Sequence, residues 1–200
     1  MKNIIVSQSL IYDEKNKEFK DQLDTKVVNF IMSLNYTPVA ISNGIKNPKN
    51  FLKKINFRAI ILTGGADFGL YPKRDKLESY LIKYAIHKKI PLLGICRGMQ
   101  MINKYFRGNL NMIKGHVRKR HQVRDVNTKK KFVVNSYHNF SVDEKKLHKT
   151  LTPVHRCTKD NSIESFVHSK HKLFGIMWHP EREKKFRSLE KNIIKKFFKK

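Results

Sequence analysis

An α/β protein is expected here, with an open, mostly parallel twisted sheet and helices on both faces. Two observations predict it: short apolar strands alternate with amphipathic helices, and two apolar runs end in glycine turns, Gly64-Gly65 and the Gly94 to Gly98 turn around Cys96. In such sheets crossovers are right-handed and ligands gather at the carboxyl ends of strands, which is where both turns fall. The 200 residues fit one compact domain, residues 1–200, since no linker-like segment divides them.

Asn3 to Ser7 reads as the first strand, and Leu23, Val27, Phe30, Ile31 and Leu34 then recur at helical spacing until Asn35 and Pro38 stop the pattern. Val39-Ala40-Ile41 resumes as a strand. Ala59-Ile60-Ile61-Leu62 is a continuous apolar run suited to a parallel strand covered on both faces. Asp75, followed three residues later by Glu78, has the form of a capping box, with Leu77, Leu81, Ile82, Ala85 and Ile86 as the buried stripe of the next helix. The strand from Pro91 delivers Cys96 into a tight turn that opens another helix. After Gly108 the runs shorten, around Phe132-Val133-Val134, Ile163 to Val167 and Leu173 to Trp178. The tail from Lys184 puts Phe186, Leu189, Ile193 and Phe197 on one side, a terminal helix docking on the sheet; the same stripe on a basic helix also suits an anionic membrane surface.

Composition narrows the function. The opening segment turns polar at Ser7, too soon for a signal peptide, and no apolar run could span a bilayer, so a cytoplasmic location is expected. With only 2 cysteines a disulfide framework is not expected, and Cys157 reads as a buried strand residue. The net charge of +27, from 43 Lys+Arg against 16 Asp+Glu, should attract anions. The lysines are spread along the whole chain, however, and clustering is best at Arg118-Lys119-Arg120-His121 with Arg124. No zinc-finger spacing, aromatic RNA-binding signature or helix-turn-helix accompanies it, which argues against nucleic acid as the partner. The 9 histidines show no metal-ligand spacing, and His168 with His171 reads as exposed loop polarity, so no metal is expected.

The Gly-x-Cys-x-Gly turn needs small flanking residues because its cysteine sits in a strained backbone conformation. The following helix aims its first N–H groups and positive dipole end at the sulfur, favouring thiolate and a developing oxyanion. A cysteine nucleophile needs a base, and His179 at the end of the last strand-like run is the best candidate. Pro180 should keep that segment extended, so that residues 179 and 181 project from one side and Glu181 orients the imidazole. Gly65 in its glycine turn can bring a backbone N–H to a reacting carbonyl and, paired with the N–H of Arg97, form an oxyanion hole, with Gly64 against the substrate.

Gly94-Ile95-Cys96-Arg97-Gly98-Met99-Gln100, Val134-Asn135-Ser136-Tyr137-His138-Asn139 and Trp178-His179-Pro180-Glu181 resemble the class I glutamine amidotransferases, particularly their free-standing gamma-glutamyl hydrolase branch. Asp21-Gln22-Leu23-Asp24 and Leu62-Thr63-Gly64-Gly65-Ala66-Asp67, with Tyr71, extend the similarity over most of the chain. The resemblance implies a flavodoxin-like sheet, Cys96 as nucleophile, His179 as base and Glu181 as orienting acid. It also implies that Gln100 and the backbone around Ser136 and Tyr137 hold the alpha-amino and alpha-carboxylate groups of a glutamyl moiety, with His138 shaping that loop.

Within the branch, the similarity implies a small-molecule gamma-glutamyl nucleotide substrate, no cofactor and no obligate synthetase partner, in synthesis of a phosphoramidate decoration on capsular polysaccharide. The residues themselves add only that Arg118, Lys119, Arg120 and Arg124 could bind a diphosphate, arginine through its bidentate fork. Two features depart from the branch: Phe106-Arg107-Gly108 stands where a glycine pair is common, and the segment from Asn109 to Arg124, which would border the leaving group, is short and basic. A glutaminase subunit feeding ammonia to a synthetase would carry the same triad, and a basic nucleic-acid or anionic-surface binder on a catalytic scaffold is the alternative of a different class.

Overall fold

The computed structural model describes residues 2–199. Strand β1 (Lys2–Ser7) buries Ile4, Ile5 and Val6 completely, the pattern of a parallel strand covered on both faces. Each such side chain removed from water contributes about 1.5–3 kcal/mol. A hairpin of β2 (Ser9–Asp13) and β3 (Glu18–Gln22) follows. Helix α1 (Thr25–Ser33) starts where the Asp24 side chain accepts from the Lys26 N–H, and it ends with Asn35 at φ 67°, a left-handed position that Asn tolerates.

Next come β4 (Tyr36–Ile41), α2 (Pro48–Lys54), β5 (Phe57–Leu62), α3 (Pro72–Lys88), β6 (Leu92–Ile95) and α4 (Arg97–Tyr105). Pro38 lies inside β4, where its missing N–H costs no ladder bond because β4 is the edge of the sheet. The remaining elements are β7 (Leu110–Met112), β8 (Val117–Asp125), β9 (Lys131–Tyr137), β10 (Phe140–Val142), β11 (Leu151–Cys157), β12 (Ile163–His168), β13 (Leu173–Ile176) and α5 (Ser188–Lys199).

The main sheet runs β4-β1-β5-β6-β13-β12-β11-β8-β9. Its first five strands are parallel, and the other four continue it antiparallel. Right-handed crossovers put α3 and α4 over β5 and β6 on one face and α1 on the other. On that second face Phe30 of α1 meets Phe186, and α5 sets Phe198 against Tyr36. No helix among the described residues is long and apolar enough to cross a membrane.

Three local expectations are corrected. Asp75 and Glu78 form no capping box: α3 begins at Pro72, whose fixed φ suits the first helical position, and both acids pair with Arg97 instead. Residues 179–181 are not extended, since Pro180–Arg182 is a 3₁₀ turn closed by the Arg182 N–H donating to the His179 carbonyl at 3.0 Å. The buried face of α5 is Glu190, Ile194 and Phe198, whereas Leu189 is exposed. Glu190 takes the inward place because Arg187 pairs with it.

Candidate active site

Strand β6 carries Cys96 into a backbone conformation of φ 50° and ψ −105°, which L-residues rarely adopt. The surrounding packing fixes it there. A Cβ on Gly94 would fall 2.5 Å from the backbone of Gly98, and one on Gly98 only 2.3 Å from the Leu62 carbonyl oxygen. The two glycines therefore let α4 start directly against β5 and β6, and the strain at Cys96 is held by that close approach.

His179 follows β13, the parallel neighbour of β6. Its Nδ1 lies 2.6 Å from Glu181 Oε1, so the carboxylate orients the ring and leaves the other nitrogen for Cys96, with which the ring also hydrogen-bonds. Burial opposes a charge on this ring, yet the Glu181 carboxylate and the Cys96 sulfur outweigh it and raise its pKa to about 10. At neutral pH the pair is thus an imidazolium beside the sulfur. The 3₁₀ turn achieves what an extended segment was expected to do, bringing the carboxylate to the imidazole across two residues.

Gly64 lies against both partners: a Cβ there would sit 2.9 Å from His179 Cε1 and 3.8 Å from the Cys96 Cβ. Gly65 has φ 133°, a value open to glycine alone. The turn is tied down by Arg74, whose guanidinium donates to the carbonyls of Thr63 and Gly64, both at 2.9 Å. Arg74 is itself held by Glu78, which also accepts from Ser7 at 2.8 Å and pairs with Arg97. A buried carboxylate thus links both glycine-rich turns to α3. The cavity that opens on Gly64, Gly65 and His179 measures about 520 Å³ and includes Ser9, Asp24 and Arg182 in its walls.

Gln100 is buried on α4 and donates to the Phe140 carbonyl at 3.3 Å, so the helix touches the start of β10. Tyr137, at the end of β9, sets its ring edge-on to His179 with centroids 5.5 Å apart, under the Arg182 guanidinium. Ser136 is buried and donates to the His116 carbonyl at 2.6 Å. Arg118 and Arg120 do not line the cavity. Arg118 is exposed at a bulge with φ 51°. Arg120 pairs with Glu183 at 3.1 Å, and Glu183 accepts from Asn135 at 3.0 Å.

Asn135 had no role from the sequence, yet its side chain accepts from the His179 N–H at 2.8 Å and donates to the His179 carbonyl at 2.7 Å. Its place inside a quoted motif was the available signal. The role of Arg74 and Glu78 was also missed: they pair with each other across one helical turn, but Ser7 and Arg97, which Glu78 also holds, are remote in sequence. Cys157 is buried at the end of β11, and burial pushes its thiol pKa up. His168 is buried rather than exposed in a loop: it closes β12, and its Nδ1 accepts from the backbone N–H groups of Lys170 and His171. Arg107 adopts φ 63° where a glycine would be unstrained, a local cost of the Phe106-Arg107-Gly108 departure.

The family model for glutamine amidotransferase class-I matches residues 16–200. A gamma-glutamyl-CDP-amidate hydrolase from Campylobacter jejuni is 37% identical over 203 residues, covering 96% of each chain. A carbamoyl phosphate synthase small chain from Aquifex aeolicus is 31% identical over 163 residues, which are 78% of this chain and 43% of that one. The solved structure of a glutamine amidotransferase from Thermotoga maritima has a TM-score of 0.65 at 20% identity, covering 90% of this chain and 76% of its own, a likeness of fold.

Proposed function

The chain belongs to the class I glutamine amidotransferase family, and from that premise we propose that residues 1–200 form one catalytic domain that hydrolyses a gamma-glutamyl amide. The observation that carries the reading is the His179 ring, held by Glu181 at 2.6 Å and hydrogen-bonded to Cys96 at a strained strand-to-helix turn. The Cys96 sulfur, its proton on His179, attacks the gamma-carbonyl carbon. The tetrahedral oxyanion accepts from the N–H groups of Gly65 and Arg97, an arrangement worth about 3 kcal/mol of barrier per donor. His179 then passes its proton to the departing nitrogen, leaving a thioester on Cys96. Water, deprotonated by His179, attacks the thioester and releases glutamate and the free thiol.

The substrate is a gamma-glutamyl CDP-amidate, the compound named in the Campylobacter relative, whose length this chain matches. Gln100, with the backbone at Ser136 and Tyr137, holds the glutamyl end. Arg118 and Arg120 attract the diphosphate, and the product amidate serves capsular polysaccharide decoration. The test is a panel of gamma-glutamyl compounds with and without a diphosphate. A kcat/KM advantage for the diphosphate members is expected; equal efficiencies would remove the nucleotide from the reading.

The synthase small chain among the relatives favours a second reading, a glutaminase subunit that hands ammonia to a synthetase. Hydrolysis of gamma-glutamyl conjugates by the purified chain alone separates the two. If glutamine is cleaved only when a synthetase is added, the subunit reading wins.

A further inference from the structure

Three histidines and two acids gather on the antiparallel side of the sheet, outside the triad. His116, before β8, and His138, after β9, face each other with Nδ1 and Nε2 3.2 Å apart. The tautomers follow from the outer contacts. The Phe140 carbonyl can only accept, so His138 donates its Nδ1–H there at 3.0 Å, leaving Nε2 to face His116. Asp160, as a carboxylate, accepts the Nε2–H of His116 at 2.7 Å, leaving Nδ1 to face His138. The two remaining ring nitrogens thus face each other at 3.2 Å with a buried carboxylate oxygen beside them, a convergence of three electron-rich atoms that suits a cation at its centre.

Glu164 supplies a third donor atom at the same point. Its Oε1 lies 3.5 Å from His116 Nδ1 and 3.6 Å from His138 Nε2, and the residue is fully buried. Bonds of about 2.0–2.1 Å to a tetrahedral ion put its donors about 3.3–3.4 Å apart. The three observed separations bracket that edge. Glu164 Oε2 and His121 Nε2, 3.3 Å apart, form no hydrogen bond of proper geometry and are left as orphaned buried polar atoms. Such atoms are costly unless something satisfies them.

We propose that His116, His138 and Glu164 bind a divalent transition-metal ion of the zinc type, leaving its fourth position to solvent. Imidazole and carboxylate donors suit that class of ion. Asp160 and the Phe140 carbonyl act as the outer partners that fix ring orientation, as ligating histidines require. The ion ties the entry to β8, the exit of β9 and strand β12 together. Tyr137, next in sequence to His138, packs on His179, so the ion braces the loop beside the active site. The site does not depend on the proposed reaction.

The test uses the full-length chain without a histidine tag, stripped with chelator and titrated with Co²⁺, whose visible d–d bands report tetrahedral nitrogen and oxygen ligation. One equivalent bound, displaced by Zn²⁺, is the expected result. Glu164→Gln and His138→Gln should each abolish stoichiometric binding, and Asp160→Asn should weaken it by about 10- to 100-fold. His168→Gln, at a separate histidine cluster, should leave the bands unchanged. Absence of d–d bands with Co²⁺ in excess overturns the proposal and leaves a shared proton as the cation between the rings. Bands that survive in Glu164→Gln, or vanish in His168→Gln, overturn it as well. The titration of the unaltered chain decides the matter even if a variant fails to fold.

Discussion

The parallel and antiparallel halves of the sheet are built from different materials. Strands β5 and β6 are mostly apolar and end in the glycine turns that carry Gly64-Gly65 and Cys96. Strands β9 and β12 bury Asn135, Ser136 and Glu164 among their apolar residues. One half supplies a rigid platform on which a strained sulfur can be held. The other half supplies polar groups that position the base and its surrounding loop. His179, at the border between them, is fixed from both sides: by Glu181 through its ring and by Asn135 through its backbone.

Removing the sulfur tests the platform most directly. Cys96→Ala should lower kcat by about 10⁶-fold while the melting temperature stays near that of the parent. A residual rate above about 1% would break the assignment of the nucleophile to the parallel half. Glu181→Gln keeps the shape but loses the charge that orients the ring, and a fall of about 10⁴-fold in kcat is expected from steady-state assays.

The contribution of the antiparallel half is smaller and separable. Asn135→Ala frees the His179 backbone without touching its ring, and a loss of about 10²-fold in kcat should follow from the misplaced base. An unchanged kcat would confine catalysis to the parallel strands. Arg118→Gln combined with Arg120→Gln should raise KM by about tenfold for diphosphate-bearing substrates, with kcat and the KM of simpler gamma-glutamyl amides unaffected.

The pH dependence of stability adds the last and mildest contrast. Burial, then the charges on His171, His148 and Lys170, depress the His168 pKa from 6.5 to about 4. The unfolded chain therefore binds a proton that the native chain refuses between these values, so stability is complete above about pH 6.5 and declines as pH falls toward 4. Chemical denaturation across that window should show the slope, and His168→Gln should flatten it. The His179 proton behaves oppositely: its stabilising pairing is present below pH 6.5 and lost as pH rises through about 10.

Much of the parallel half was legible in the sequence because its signals are local. The Gly94 and Gly98 spacing, the apolar runs and the turn at Gly64-Gly65 each fall within a few residues, and their physical causes are close approaches of neighbouring backbone. Where local patterns misled, a stronger partner stood elsewhere. Asp75 and Glu78 had the spacing of a cap, but Pro72 set the helix start and Arg97 claimed both acids. The cluster of His116, His138 and Glu164 was invisible because its members come from the entry to β8, the exit of β9 and strand β12, and antiparallel register, unlike helical spacing, leaves no period in the sequence that pairs them. The same holds for Asn135 and His179, which are 44 residues apart.

The unequal settings of the two sulfurs have a practical use. Cys157 is enclosed and its thiol is held protonated by burial, whereas Cys96 shares a hydrogen bond with an imidazolium. A haloacetamide reagent should consequently alkylate one position per molecule, and the mass-shifted fraction of a preparation would count its competent copies without any need for the natural substrate.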